Sequence, residues 1–255
     1  MILEKFSLCG RSGIVTGGGS GLGKGIATAL VQAGASLVIA ARGVERLQQA
    51  AGEMRAFGGP VVPVQADLSR MEQIQSLVNR TIQEFGKIEF LVNAAGIVRR
   101  APAEEHSEAH WDEVLTLNLK SLFFLSQAAA REMIARKIKG KIINIASLMS
   151  VQGGQTVASY AASKGGVAQV TKAMANDWAK YGIRVNAIGP GWYLTDLTRP
   201  VFENPERSRA ITARIPLGRW GDPEDLGGLA VFLASDASDY ITGQVIFVDG
   251  GLLAS

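Results

Sequence analysis

The chain carries a single cysteine, Cys9, among its 255 residues, so no disulfide can form within it. A reducing compartment such as the cytoplasm is therefore expected. Proline is scarce, 8 residues against 30 glycines, which excludes stiff proline-rich linkers and permits many tight backbone turns. No apolar run approaches the ~18 residues that a membrane span needs. The stretch from Met1 to Gly13 lacks the apolar core of a signal peptide. Net charge is only +3, and the cations are scattered apart from Arg99-Arg100 and Arg136 to Lys141. No cationic stripe is interleaved with aromatics, so neither nucleic acid nor membrane is an expected partner. His106 and His110 lie near a helix start at Ser107 without metal-ligand companions, and no metal site is expected.

What is present is apolar and regular. Hydrophobic residues make up 47% and charged residues 19%, enough for a large core and too apolar for disorder. No repeat, low-complexity tract or linker interrupts the sequence, which reads as one domain over 1–255. Short runs rich in Val and Ile recur at Gly13–Thr16, Leu37–Ala41, Val61–Val64, Phe90–Asn93, Ile142–Ala146, Val185–Ile188 and Val245–Val248. Their continuous hydrophobicity predicts strands buried on both faces. Helical spacing lies between them, as in Leu22, Ile26, Leu30 and Ala33, or Ile74, Leu77, Val78 and Phe85. Asp222-Pro223-Glu224 reads as a helix start: a cap, a proline in the first turn and an acid at the positive dipole end. The alternation predicts an α/β fold, a doubly wound parallel sheet with helices on both faces and ligands at the carboxyl ends of its strands.

The first run leads into Thr16-Gly17-Gly18-Gly19-Ser20-Gly21-Leu22-Gly23, and a helix pattern follows. Glycines admit a sharp turn and a close phosphate, and the helix start offers free N–H groups, so a bound dinucleotide is favoured over an unliganded turn. The spacing is wider than the usual G-x-G-x-x-G. The second run ends in Ala41-Arg42, where an NAD-preferring fold places an acid. A guanidinium there suits a 2′-phosphate, so NADP(H) is favoured, with NAD(H) possible. Tyr160 and Lys164 stand four residues apart and share a helix face. Ser147 follows Ile142–Ala146, at the expected carboxyl end of a strand.

Gly17/Gly21/Gly23, Asp67, Asn93-Ala94-Ala95-Gly96, Asn118, Ser147, Tyr160 with Lys164, and Pro190-Gly191 followed by Thr195 together resemble the motif series of the short-chain dehydrogenase/reductase family. The resemblance spans nearly the whole chain. It departs at Ala94, where the family often has a second asparagine. It implies a Rossmann fold and hydride transfer between a nicotinamide and a secondary alcohol or ketone. It implies a catalytic set of Asn118, Ser147, Tyr160 and Lys164. Tyr160 would be the proton donor and acceptor, with Lys164 lowering a phenol pKa that is otherwise about 10. Lys164 would also hold the nicotinamide ribose. Ser147 would orient the reacting oxygen, and Asn118, in the helix pattern Trp111 to Ala130, would hold a water linking Lys164 to solvent.

The dinucleotide would be bound by Gly17, Gly19, Ser20, Gly21, Leu22, Gly23, Arg42, Asn93, Gly96, Pro190 and Gly191. Asp67 would meet the adenine amino group, or on spacing alone begin the next helix, and Leu68 would meet the adenine ring. Thr195 would meet the carboxamide. Relatives are commonly homotetramers. Residues 189 to about 214 read as a long irregular loop over the substrate.

A finer resemblance, to gluconate 5-dehydrogenase-like members and their keto-deoxy-gluconate relatives, rests on Asn93 to Arg100, Gly191 to Thr195 and Arg214 to Gly221. It implies a sugar-acid substrate, its carboxylate met by Arg99 or Arg100, with Ser147, Trp192 and Tyr193 around the rest. A 3-oxoacyl thioester reductase is the enzymatic alternative. A non-enzymatic NADP(H)-binding protein is the other, and the intact set of Asn118, Ser147, Tyr160 and Lys164 argues against it.

Overall fold

Apolar runs become the strands β1 (Ser12–Thr16), β2 (Ser36–Ala41), β3 (Val61–Gln65), β4 (Phe90–Asn93), β5 (Lys141–Ile145), β6 (Arg184–Pro190) and β7 (Val245–Val248). The structure is a computed structural model that describes residues 1–254. All strands pair in parallel in one 7-stranded sheet of order β3-β2-β1-β4-β5-β6-β7. Every residue of β1, β4 and β5 is buried, because helices cover both faces of the sheet. The edge strand β7 is only half-buried.

The helices are α1 (Gly21–Gln32), α2 (Val44–Arg55), α3 (Met71–Phe85), α4 (Glu108–Leu115), α5 (Ser121–Ala135), α6 (Ala158–Trp178), α7 (Arg199–Phe202), α8 (Pro205–Thr212) and α9 (Gly227–Ala234). Strand side chains alternate between two cores, as a period of two requires. Val15 and Ile39 face Ile26, Leu30, Leu47 and Leu233, under α1, α2 and α9. Ile14 and Val38 face Leu77, Leu125, Val167 and Met174, under α3, α5 and α6. Gly86 ends α3 in the left-handed region at φ 75°, which a β-carbon disfavours.

Two expectations are revised. The pattern from Trp111 to Ala130 is not one α-helix. It is broken by a π-helical turn, Thr116–Lys120, between α4 and α5. The segment 189–214 is not irregular, since it contains α7 and α8. Asn204 caps α8 by accepting from the Arg207 N–H at 2.9 Å, with Pro205 in the first turn. Asn204-Pro205-Glu206 repeats the cap–proline–acid pattern of Asp222-Pro223-Glu224, so this helix start was readable. The latter begins a 3-10 turn, Pro223–Leu226, that runs into α9. A third, smaller core of Leu148, Val201, Ile215, Trp220 and Leu252 holds the α7–α8 segment over the sheet.

Gly13 lies opposite Phe90 in the β1–β4 register. A β-carbon on it would fall 2.3 Å from the Phe90 ring and 2.5 Å from the Phe90 carbonyl oxygen. Gly13→Ala is expected to cost about 1–3 kcal/mol through overpacking. The measurement is the urea midpoint by circular dichroism; an unchanged midpoint would mean that the central strands separate without penalty.

Candidate active site

Parallel pairing brings the functional segments to one edge of the sheet. Thr16 is in register with Ala40 and Asn93, Asn93 with Asn144, and Ile145 with Ile188. The chain leaves β1 toward one half of the sheet and enters β4 to build the other, which opens a crevice above these strands. The Thr16 hydroxyl accepts from the Ala94 and Ala95 N–H groups at 3.0 and 3.1 Å and staples the two strand ends.

The glycine turn forms a cradle in this crevice. Gly17 and Gly21 have φ of 69° and 51°, which side chains rarely adopt. A β-carbon on Gly23 would lie 2.3 Å from the Gly17 carbonyl oxygen, so the turn packs onto the helix only without one. Ser20 precedes α1 and makes no side-chain capping bond, which leaves the first N–H groups of α1 for a ligand. These features fit a bound pyrophosphate.

Three connected cavities follow the crevice. One, of about 390 Å³, runs from Gly17, Ser20, Leu22 and Gly23 to Tyr160, Lys164 and Thr195, with Gly96, Pro190 and Gly191 in its walls. A second, of about 450 Å³, continues past Gly19 to Arg42, Arg46 and Leu68. A third, of about 510 Å³, opens from Ser147 and Tyr160 toward Arg100, Trp192 and α8. Ser147 and Tyr160 stand where the first and third meet.

Lys164 and Tyr160 project from α6 as their spacing predicts. The buried Lys164 ammonium donates to the Ile145 carbonyl oxygen at 2.6 Å and lies 5.7 Å from the Tyr160 ring centre. Burial lowers its pKa from 10.5 to about 8. Burial raises the pKa of Tyr160, opposed by a hydrogen bond with the Ser147 hydroxyl and by the charge of Arg100. Burial thus acts on both groups, and the charge of Arg100 acts on the phenol in the lowering direction. The Ser147 hydroxyl also accepts from the Met149 N–H at 3.2 Å.

Several expected contacts are redirected by non-local partners. Asn118 is fully buried in the π turn, and its amide accepts from the Ile97 N–H and donates to the Ile97 carbonyl and the Ser163 hydroxyl. Its side chain is a strut between the segment after β4 and α6. Asn93 is also a buried strut, donating to Ser126 and Asn144 at 2.9 Å, and it lines none of the three cavities. Asp67 accepts from the Ser69 N–H and hydroxyl in a turn. It sits between Ala66 and Leu68, which line the second cavity, and does not cap α3, which starts after Arg70. Arg99 is held bidentately by Glu113 at 2.8 and 2.6 Å, away from the third cavity, whereas Arg100 lines it. Tyr193 is buried with its hydroxyl donating to the Val248 carbonyl at 3.0 Å, so it walls the first cavity and not the third. Among the described residues no group of His, Cys, Asp or Glu could hold a metal ion.

Arg46 and Arg207 were not anticipated. Arg46 lies in the first turn of α2, four residues past Arg42 in the preceding bend, lines the first and second cavities and pairs with Asp196 at 2.7 Å. Its four-residue spacing from Arg42 was the available signal.

The family model described as enoyl-(acyl carrier protein) reductase matches residues 17–253. The chain belongs to the short-chain dehydrogenase/reductase family. It is 50% identical to the 2-dehydro-3-deoxy-D-gluconate 5-dehydrogenase of Escherichia coli strain K12, over 100% of both chains. It is 39% identical to the gluconate 5-dehydrogenase of Gluconobacter oxydans, over 99% of this chain and 98% of that one. Its fold matches the crystal structure of a gluconate 5-dehydrogenase from Burkholderia cenocepacia in complex with NADP and tartrate, with a TM-score of 0.95 and 41% identity over 100% of each chain. This member of the short-chain dehydrogenase/reductase family is an oxidoreductase.

The buried lysine gives a test with a definite sign. Between pH about 8 and about 10.5 the folded protein releases the Lys164 proton while the unfolded chain keeps it, so this group raises stability as pH rises through that window. The wild type is expected to gain on Lys164→Met between about pH 7.5 and about pH 10, measured as the difference in urea midpoints. A constant difference would show that the ammonium is not desolvated.

Proposed function

We propose that this oxidoreductase interconverts a secondary alcohol and a ketone on a sugar acid of the gluconate type, with NADP(H) favoured over NAD(H). The observation that carries this reading is the placement of Ser147 and Tyr160 between a glycine-cradled cleft and a cavity whose charged lining is arginine only. The 50% identity to a 2-dehydro-3-deoxy-D-gluconate 5-dehydrogenase and the NADP and tartrate of the Burkholderia structure support it.

A nicotinamide bound in the cleft supplies or takes up the hydride. In reduction, the Tyr160 hydroxyl gives its proton to the substrate oxygen as the carbonyl carbon gains the hydride, and Ser147 orients that oxygen by a hydrogen bond. Burial favours the neutral phenol, the form that donates. In oxidation Tyr160 accepts the alcohol proton, and the Ser147 bond and Arg100 charge reduce the cost of the phenolate. Lys164, protonated below about pH 8, adds positive charge beside Tyr160 and holds the ribose hydroxyls. Arg42, at the far end of the cleft, pairs with a 2′-phosphate that an acid would repel. Arg100 meets the substrate's negative charge.

The homotetramer belongs to the same reading. A groove of about 320 Å³ between α5 and α6, lined by Phe123, Val170 and Trp178, and the half-buried edge strand β7 support it. So does action in the cytoplasm, in keeping with a single exposed cysteine; among the described residues no helix is long and apolar enough to cross a membrane.

The initial rate of 5-keto-D-gluconate reduction with NADPH, beside NADH, tests the reading; turnover of a 3-oxoacyl thioester and of no sugar acid would overturn the substrate class. Tyr160→Phe keeps the ring and removes the proton donor, and is expected to lower kcat by roughly 10²–10⁴-fold with little change in NADPH affinity. Near-wild-type turnover would remove Tyr160 from proton transfer. Arg42→Asp is expected to raise the Kd for NADPH much more than that for NADH, measured by nucleotide fluorescence titration. Equal losses would exclude Arg42 as the selector.

A further inference from the structure

Helix α8 presents one face to the third cavity. Arg207, Ala210 and Ile211 fall at helical spacing along it, and with Arg214, just past its end, they line that cavity. Arg209, on the same helix, points elsewhere, toward a surface groove with Asn204 and Glu206. The helix is held in place at both ends. Asn204 caps its start, and Ile211 packs against the small core of Trp220 and Leu252.

Arg100, Arg207 and Arg214 line the cavity, and among the described residues no Asp, Glu, Lys or His does. Neighbouring arginines are neutralised: Arg99 by Glu113, Arg46 by Asp196 and Arg219 by Asp225. Among the described residues Arg100 and Arg207 form no ion pair with an acid. They act on each other instead, the charge of Arg207 opposing that of Arg100. Both side chains are exposed and their repulsion is screened by solvent, and a carboxylate bound between them would pair with both.

The two arginines are not equivalent. Arg100 precedes Ala101, whose N–H donates at 3.1 Å to the Thr156 carbonyl, four residues before Tyr160, whereas Arg207 stands on α8 in the segment with its own small core. Arg100 is therefore the nearer to the reacting oxygen. We propose that Arg207 is the distal anchor for the substrate carboxylate, on a chain acid whose reacting carbinol lies several carbons from that carboxylate. Gln152 and Gln155, which also line the cavity, supply hydrogen bonds to the hydroxyls between the two ends. The proposal rests on the sugar-acid reading above and adds to it where along the chain the charge sits.

The test uses the full-length protein with saturating NADPH and 5-keto-D-gluconate, comparing wild type, Arg207→Ala, Arg207→Lys and Arg209→Ala. Tartrate binding in the presence of NADP⁺, read by tryptophan fluorescence, is the second readout. Arg207→Ala is expected to raise KM and the tartrate Kd by about tenfold to hundredfold, the size of a lost charge-assisted contact, with kcat changed by less than about threefold. Arg207→Lys recovers part of the loss, and Arg209→Ala behaves as wild type. If Arg207→Ala keeps the wild-type KM and tartrate Kd, the anchor is overturned and Arg100 carries the carboxylate. A fall in kcat with both constants unchanged overturns it too, since that marks a structural role. If the wild type neither reduces 5-keto-D-gluconate nor binds tartrate, the sugar-acid reading fails and the anchor fails with it.

Discussion

The hydroxyl of Thr16 holds the point on which the rest of the site depends. It ties the end of β1 to the first residues after β4, at the place where the chain changes from building one half of the sheet to building the other. The strands must part immediately above it, because their following segments diverge to opposite faces. That divergence creates the crevice. The glycine turn on one side and Gly96 on the other then leave its floor free of side chains. A buried ladder of amides and hydroxyls, Ser126, Asn93, Asn144 and Thr171, ties β4 and β5 to α5 and α6 just beneath. Satisfied buried networks of this kind fix one arrangement of the elements, because any shift leaves a polar group unpaired.

The chemistry depends on desolvation acting in opposite directions on two neighbours. Burial pushes Tyr160 toward its neutral phenol and Lys164 toward its neutral amine. Neither becomes inert. The ammonium keeps one strong acceptor, the Ile145 carbonyl, and the phenol keeps Ser147 and the field of Arg100. The π turn at Asn118 belongs to the same construction. It spends a helical irregularity to place a buried amide where it grips Ile97 and Ser163, and so holds α6 against the loop after β4.

The third cavity is walled in part by a separate layer. The segment from β6 to α9 has its own small core and two short helices, so its side chains can differ without disturbing the sheet. It supplies Trp192, Arg207 and Arg214 to the cavity, while α6 and the loop after β5 supply Tyr160 and Ser147. This division lets one scaffold place the same proton donor against different substrates.

The elements whose instructions are local were legible in the residues alone. The order of strands and helices follows from runs of Val and Ile and from helical spacing, because burial on two faces demands it. The glycine turn, the Tyr160–Lys164 face and Ser147 at a strand end depend on neighbours within a few residues, so spacing was enough to locate them. What the tertiary structure decided is which partner each polar side chain meets. Arg99 and Arg100 are adjacent, yet Glu113 takes one and the cavity receives the other. Asn93 meets Ser126 and Asn144, and Tyr193 meets Val248, all far off in the sequence. Arg207 joins Arg100 although more than a hundred positions separate them in the chain. A charge or an amide is satisfied by whatever lies within hydrogen-bond reach, and most of that neighbourhood exists only once distant segments have packed together.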